Sequence, residues 1–431
     1  MERRGAQEQL TEAINLFDKK ESSLKAKPFA ITQEMVKQAY RKVKKNGGCA
    51  GVDGESLKEF EARLEDNLYQ LWNRLSSGSY FPPPVKAVVI AKAGGGTRTL
   101  GVPTVADRVA QAVVKMALEP MVEPRFDRDS YGSRPKRSAH EALASTRERC
   151  WRKDWVLDLD IQGFFDALNH ELVLRAVAHH TKCPWILLYV QRWLTALLQW
   201  RDGSEEERTQ GTPQGGVISP LLANLFMHYA FDLWMRRSHP GIDFERYVDD
   251  VIVHAGSLGE AEKLLESIRE RLRKCHLELH PVKTKIVYCR DDNRKRRHEQ
   301  EQFDFLSYTF RPRQAKTRWG KLFVGFSPAI SGRSAQSIRE EVRSWRLIRQ
   351  HNTSSLEDLS KWMSPKVRGW VQYFGRFSRG ELQLLHNYLK RVLCQWARRK
   401  FKHLRGKAVR SFQWFDRLEK LPQYDWLRWS N

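Results

Sequence analysis

The stretch Phe244-Glu-Arg-Tyr247-Val248-Asp249-Asp250-Val251-Ile252-Val253 constrains this chain more than any other. Val251, Ile252 and Val253 are β-branched or aliphatic and read as a strand, and so does the run ending at Tyr247. The simplest geometry is a hairpin with Asp249 and Asp250 at its tip. Adjacent carboxylates repel and lose hydration when crowded, so a fold that keeps them together calls for a compensating cation. Hard divalent ions with oxygen ligands suit that role, Mg²⁺ above all. Taken alone, such a pair is an ordinary acidic turn.

A second segment gives the pair a context. Trp155-Val-Leu-Asp158-Leu-Asp160-Ile161 alternates like a half-buried strand, with Val156, Asp158 and Asp160 on one face. Gly163-Phe164-Phe165-Asp166 then turns the chain into a helix. A strand ending in carboxylates beside an Asp-Asp hairpin suits a two-metal site. Two Mg²⁺ ions roughly 4 Å apart would clamp the attacking and leaving oxygens of a phosphoryl transfer. Nucleotide addition to a primer 3′-hydroxyl is such a reaction.

Charge points to the partner. The 431 residues carry a formal net charge of +24, which favours a polyanion, nucleic acid before membrane. From residue 315 onward, 25 Lys and Arg stand against 8 Asp and Glu, and eight of the 15 tryptophans lie there too. Basic residues interleaved with aromatics can follow a phosphate backbone and stack on bases, although Trp345, Trp362 and Trp370 each read singly as core. Helical patterns near 334–350, 355–374 and 380–402 predict a three-helix bundle. The six cysteines are scattered without a C-x-x-C pair, which argues against a zinc ribbon or disulfide framework and for reduced thiols in a cytoplasmic protein. No apolar run is long enough to span a membrane.

These residues resemble reverse transcriptases. Tyr247-Val248-Asp249-Asp250 matches that superfamily's Tyr-x-Asp-Asp box, and Asp160 matches its first catalytic aspartate. The closer resemblance is to the group II intron-encoded reverse transcriptase/maturase family, from about Gly47 to Trp429. It implies an α+β right-hand polymerase fold, with fingers and palm built on an antiparallel sheet packed on helices and a C-terminal three-helix thumb. The implied divisions are 1–80 (N-terminal extension and first fingers helices), 81–314 (fingers and palm) and 315–431 (thumb, or maturase domain). The resemblance assigns catalysis to Asp160, Asp249 and Asp250, with metal held at Asp160, Ile161, Asp249 and Asp250. The metal is two Mg²⁺ ions, for which Mn²⁺ can substitute.

The same resemblance places the incoming dNTP. Lys92 and Arg98 flank the Gly94-Gly95-Gly96 turn and match the basic pair of the fingers hairpin, with Ala91 where the family usually has proline. A point charge and a guanidinium fork suit a triphosphate. Phe165 would lie under the nucleotide sugar and exclude a 2′-hydroxyl; read without the resemblance, it is a core residue at a helix start. Gln214, in Gln210-Gly-Thr-Pro-Gln-Gly-Gly216, would lie near that sugar, and Lys283 near the triphosphate. Arg134, Lys136 and Arg137 would touch a nucleic-acid backbone in a motif where the family has Phe and Gly in place of Ser133 and Lys136. The family commonly has Gly where Ser307 stands. Lys366-Val-Arg368-Gly-Trp370-Val-Gln-Tyr373-Phe374 resembles the maturase signature and makes Arg368, Trp370 and Tyr373 nucleic-acid contacts.

Implied partners are an RNA template, a DNA or RNA primer, dNTPs and group II intron RNA, in a bacterial-type, nucleoid-associated setting. Nothing after Trp429 could form the HNH endonuclease that many family members carry. Two roles stay open: an intron maturase serving splicing and mobility, or a domesticated, intron-free enzyme of host DNA repair or defence. Val248 bears on the choice, since intron-encoded members usually have Ala there. A non-catalytic splicing factor is the third reading, against which all three aspartates stand.

Overall fold

Helices begin where the sequence supplies a cap. In the computed structural model, which describes residues 27–91, 96–317, 319–351 and 353–429, Thr32, Thr104, Asn169, Ser257 and Ser331 each accept a hydrogen bond from a first-turn backbone N–H. Ser56, Ser138 and Ser355 go further and close reciprocal capping boxes with Glu59, Glu141 and Asp358. The stripe Leu57, Phe60, Leu64, Leu68, Leu71, which reads as one helix, is split at Arg63 (φ −128°) into Leu57–Ala62 and Leu64–Ser77. The first 26 residues and Lys92 lie outside the described residues.

In chain order the strands are β1 (Val85–Ala91), β2 (Thr97–Val102), β3 (Trp155–Leu159), β4 (Leu198–Gln199), β5 (Glu205–Glu206), β6 (Phe244–Tyr247), β7 (Asp250–Ala255), β8 (Lys285–Tyr288), β9 (Phe303–Phe305), β10 (Tyr308–Lys316) and β11 (Leu322–Ile330). They form three sheets, ordered β2-β1-β4-β5, β6-β7-β3-β8 and β11-β10-β9. The chain divides into two units, one of residues 1–125 and 165–225, the other of 126–164 and 226–431.

The first unit holds the β1–β2 hairpin, where Ile90 stands opposite Arg98 and Ala91 opposite Thr97. Its helix Val105–Val122 is buried along most of its length. Asp107 on that helix is fully buried and accepts from Tyr80 Oη, Trp193 Nε1 and Gln111 Nε2 at 2.7–2.9 Å. Those three donors satisfy a carboxylate that burial would otherwise make costly. Arg108 donates to the carbonyls of Gly47 and Cys49 and so ties down the glycine-rich loop before Leu57.

The second unit contains the sheet β6-β7-β3-β8, with helices Ala139–Arg152 and Leu258–Lys274 packed against it. Tyr131, Val156, Ile252 and Val287 from this part share one hydrophobic core with Phe303, Tyr308, Phe310, Phe326, Trp345, Trp396 and Trp429. The C-terminal region has the three expected long helices, Gly332–Ser344, Leu356–Phe374 and Arg379–Lys400, and two further helices, Leu347–Gln350 and Ala408–Leu418. Its tryptophans turn largely inward, because their spacing follows the buried stripes of these helices. Trp345, Trp396, Trp426 and Trp429 are buried, and Trp345 stacks on Trp370 and meets Trp362 edge-on. Trp319 is the exposed exception, at 78%. Among the described residues, no helix is long and apolar enough to cross a membrane.

Candidate active site

The antiparallel register of the central sheet brings the carboxylates together. Leu159 pairs with Val251 and Asp158 with Ile252, so Asp160, just beyond the end of β3, lies beside the start of β7, which is Asp250. Tyr247 pairs with Asp250, which makes Val248-Asp249 the two-residue turn. The hairpin tip is thus shifted by one residue from the expected Asp249-Asp250, and Asp250 begins the strand. Val248 has φ 64°, the left-handed backbone of the first position in a type II′ turn, where glycine is usual. A β-branched residue there is a genuine outlier and persists only where its surroundings hold it.

The electrostatics are those of a site short of positive charge. Desolvation by the surrounding protein, then the charges of Asp249 and Asp160, push the carboxyl of Asp250 up to about 7, although the residue lines an open cleft and keeps solvent contact. Asp158 is pushed up to about 8 by burial, then by Asp250, with Asp160 and Asp304 adding to the effect and Lys285 opposing it. The Lys283 ammonium lies 3.1 Å from Asp160 Oδ2 and offsets part of the charge. Asp160 is fixed through its backbone, since its carbonyl accepts from His280 N–H at 2.7 Å, while Ile161 bridges to Leu279. Among the described residues no three candidate ligands yet surround a common point. Crowded carboxylates of raised pKa are nonetheless the donor set a hard divalent ion takes, and binding one would return them to the charged form.

A cleft lined by Asp158, Asp160, Asp250, Lys283, Gln302 and Arg333 opens on this cluster. A neighbouring cavity shares Gln302, Asp304 and Arg333 with it and adds Arg311, Arg313 and Arg339. Asp158 and these arginines escaped the sequence reading. The alternation with Asp160 was a signal for Asp158; the arginines lie on β10 and on a helix that only folding brings alongside the palm strands.

In the other unit, the loop before helix Ser219–Met227 is laced to the chain after β3. Gly211 N–H donates to the Leu168 carbonyl and Thr212 N–H to that of Phe165, both at 2.7 Å. A Cβ on Gly211 would lie 2.8–2.9 Å from Asp166 backbone atoms, so only glycine allows that approach. Gln214 reaches the Asp166 carboxylate at 3.3 Å, and its carbonyl accepts from Gly101 of β2. Phe165 is half-buried while Phe164 takes the core position. Phe165 and Gln214 therefore belong to one cluster, and Arg98 is exposed on β2 of the adjoining hairpin.

Most of the expected nucleic-acid contacts are engaged within the protein. Arg134 donates to the Asp127 and Ser130 carbonyls at 2.6 Å, Arg137 to that of Arg128 at 2.7 Å, and Lys136 is exposed. Arg368 pairs with Asp425 at 2.5 Å, and Trp370 lies half-buried against Trp345. Tyr373 donates its hydroxyl to the Leu306 carbonyl, while its own carbonyl accepts from His140 and from the Tyr308 hydroxyl.

Comparison with known proteins identifies the domains. Residues 90–310 match the family described as reverse transcriptase (RNA-dependent DNA polymerase), and residues 335–414 match the group II intron maturase-specific domain. Protein YkfC of Escherichia coli (strain K12) is 31% identical over 286 residues, covering 57% of this chain and 74% of the relative. The group II intron-encoded protein LtrA of Lactococcus lactis subsp. cremoris is 32% identical over 195 residues, covering 44% of this chain and 32% of the relative. An uncharacterized 91 kDa protein in the cob intron of Schizosaccharomyces pombe is 26% identical over 278 residues, covering 61% of this chain and 34% of the relative. Domains of this kind use divalent metal ions and bind RNA. With about half of its length matched to one domain and a relative matched along most of its own, the chain belongs to the reverse transcriptase (RNA-dependent DNA polymerase) family and carries the maturase domain of group II intron-encoded proteins.

Proposed function

We propose that this chain extends a DNA or RNA primer on an RNA template with dNTPs, using Asp160, Asp249 and Asp250 as its metal-binding carboxylates. The observation that carries the reading is the register that sets Asp160 beside Asp250 and its neighbour Asp249, where burial and then those two charges push Asp250 up to about 7. Two Mg²⁺ ions, or Mn²⁺ in their place, would be held by the three carboxylates beside Ile161 and would supply Lewis-acid stabilisation of charge on the attacking and leaving oxygens. Lys283, close to Asp160, would receive triphosphate charge, with Lys92 and Arg98 serving the far phosphates. Phe165 and Gln214 would frame the sugar. Residues 315–431 would act as thumb, and the cleft past Arg333 toward Arg311, Arg313 and Arg339 would take the duplex backbone. Arg134, Lys136, Arg137, Arg368, Trp370 and Tyr373 would support that path, mainly by shaping it. The maturase match and the kinship to LtrA favour intron RNA as a second partner and an intron-linked role over a domesticated one; either role suits a nucleoid-associated enzyme.

The test is primer extension on an annealed RNA template. Asp249→Ala/Asp250→Ala should abolish Mg²⁺-dependent product while RNA affinity stays within about threefold, because neither residue lies on the basic surface that dominates binding. Undiminished extension by the double variant would remove the proposed site. Phe165→Val should raise NTP incorporation relative to dNTP; an unchanged ratio would leave Phe165 a packing residue.

A further inference from the structure

We infer that Arg246 is a positioning residue for the Asp249-Asp250 turn, its buried guanidinium locked by Asp232 and gripping the carbonyl of Val248. The inference rests on the carboxylate reading proposed above. Arg246 and Asp232 are both fully buried. Arg246 Nε and Nη2 donate to Asp232 Oδ1 and Oδ2, each at 2.7 Å, so the fork is oriented in two dimensions. Two further donors are spent on the segments around the turn: Nη1 donates to the Val248 carbonyl at 2.9 Å and Nη2 to Ser130 Oγ at 2.8 Å.

An ion pair stripped of water is weak evidence for stability, since apolar residues of the same volume often serve as well or better. Its use here lies in where the fork points. The carbonyl it holds belongs to the residue immediately before Asp249, and that residue is the one with φ 64°. Such a backbone relaxes unless it is over-determined. Arg246 is itself immobilised through its main chain, with its N–H on the Asp129 carbonyl and its carbonyl receiving Tyr131 N–H. From the other side Gly132 closes on the turn: a Cβ there would stand 2.7 Å from Val248 N and Cγ2.

Asp232 is placed for this role by an irregularity. Helix Ser219–Met227 passes into a π turn, His228–Asp232, before Leu233–Ser238 resumes α winding. π turns are rare and concentrate at functional sites, and this one ends on the residue that locks the brace. A lysine at position 246 could keep the charge but not three directions at once, because its ammonium is a single point on a flexible stem.

The experiment uses the full chain with an RNA template, a DNA primer, Mg²⁺ and saturating dNTP, read by rapid quench over the first turnover. For Arg246→Lys the burst rate constant should fall by about 10- to 100-fold, as misplacement by about 1 Å does for a catalytic group. Burst amplitude and primer–template affinity should stay within about twofold. A lost amplitude with an unchanged rate constant would make Arg246 a residue of fold stability alone and overturn the inference. Should Arg246→Lys fail to fold, Asp232→Asn and Ser130→Ala are read in its place; each should slow the burst several-fold, and unchanged rates in both overturn it equally. Asp249→Ala, run alongside, separates the two readings. If it still extends, the carboxylate assignment itself fails; if it is inactive while the Arg246 variant is as fast as wild type, only the brace does.

Discussion

Ser307 at φ 67° and Lys136 at φ 59° occupy left-handed backbone, and Leu306 precedes Ser307 at φ 50°. Leu306-Ser307 is thus the two-residue turn between β9 and β10, with positive φ at both positions, as a type I′ turn requires. Ser307 and Lys136 are positions where the resemblance leads one to expect glycine, and the positive φ at each supplies the reason. A side chain there costs about 1–2 kcal/mol, against about 0.4–1 kcal/mol for the added freedom glycine gives the unfolded chain. Ser307→Gly should therefore raise stability by up to about 1 kcal/mol, seen as a higher urea midpoint at unchanged slope. A lower midpoint would mean that Ser307 makes a compensating contact. At this scale the sequence was most legible where chemistry is local: the box of Asp249 and Asp250 and the distant Asp160 meet as their strands require. Asp158 was legible as sharing a strand face with Asp160, but its proximity to Asp250 was not, because that depends on sheet register. The Val248 turn was displaced by one residue for the same reason: pairing, not hydrophobicity, sets where a hairpin bends.

Among elements, the segment Phe126–Arg137 is the least regular and the most tightly tied. Arg236 donates to both oxygens of Asp127 and to Asp129, Arg149 reaches Asp129 and Glu245, and Ser130 bridges to Arg246 beside the β6–β7 hairpin. Burial alone would push Asp127 up, but Arg236, the Asp129 N–H and Arg128 together outweigh it and hold the carboxyl below its usual range. The sign follows: a carboxylate with a depressed folded-state pKa adds stability at neutral pH that is lost as pH falls from its unfolded value through its folded one. Arg236→Gln should lower stability at pH 7 and flatten the acid limb below about pH 4 in chemical denaturation. Parallel limbs would show that the pair is fully compensated elsewhere. Long amphipathic helices and capped starts were readable in the sequence. The split at Arg63, the π turn and the extra helix Ala408–Leu418 were not, since each answers to tertiary packing rather than to its own period.

For the molecule as a whole, charge and core separate. The basic excess beyond residue 315 is real, but most of its tryptophans pack inside, so affinity there should be electrostatic more than stacking. Arg399, Lys402, Arg405 and Lys407 are exposed around the end of helix Arg379–Lys400. Replacing all four by Gln should lower the slope of log K against log salt by as much as about 3, with the melting temperature little changed. An unaltered slope in a filter-binding titration would remove this face from the nucleic-acid path. Deletion is the wrong tool for that question, because a cut near residue 315 would remove β11, the partner of β10, and uncover Phe310.

The shared core also bears on how the protein is made. Tyr131 and Ile252 are packed in one cluster with Trp426 and Trp429. A ribosome that has finished the aspartate box has therefore not finished the hydrophobic support behind it. The sheet that carries those aspartates can reach its final stability only when about six hundred more ångströms of extended chain have been threaded out and folded back. During that interval the nascent chain shows an unfinished apolar face and a growing run of positive charge. An RNA already in place would meet the charge first, and it would be an attractive nucleus for the rest of the fold.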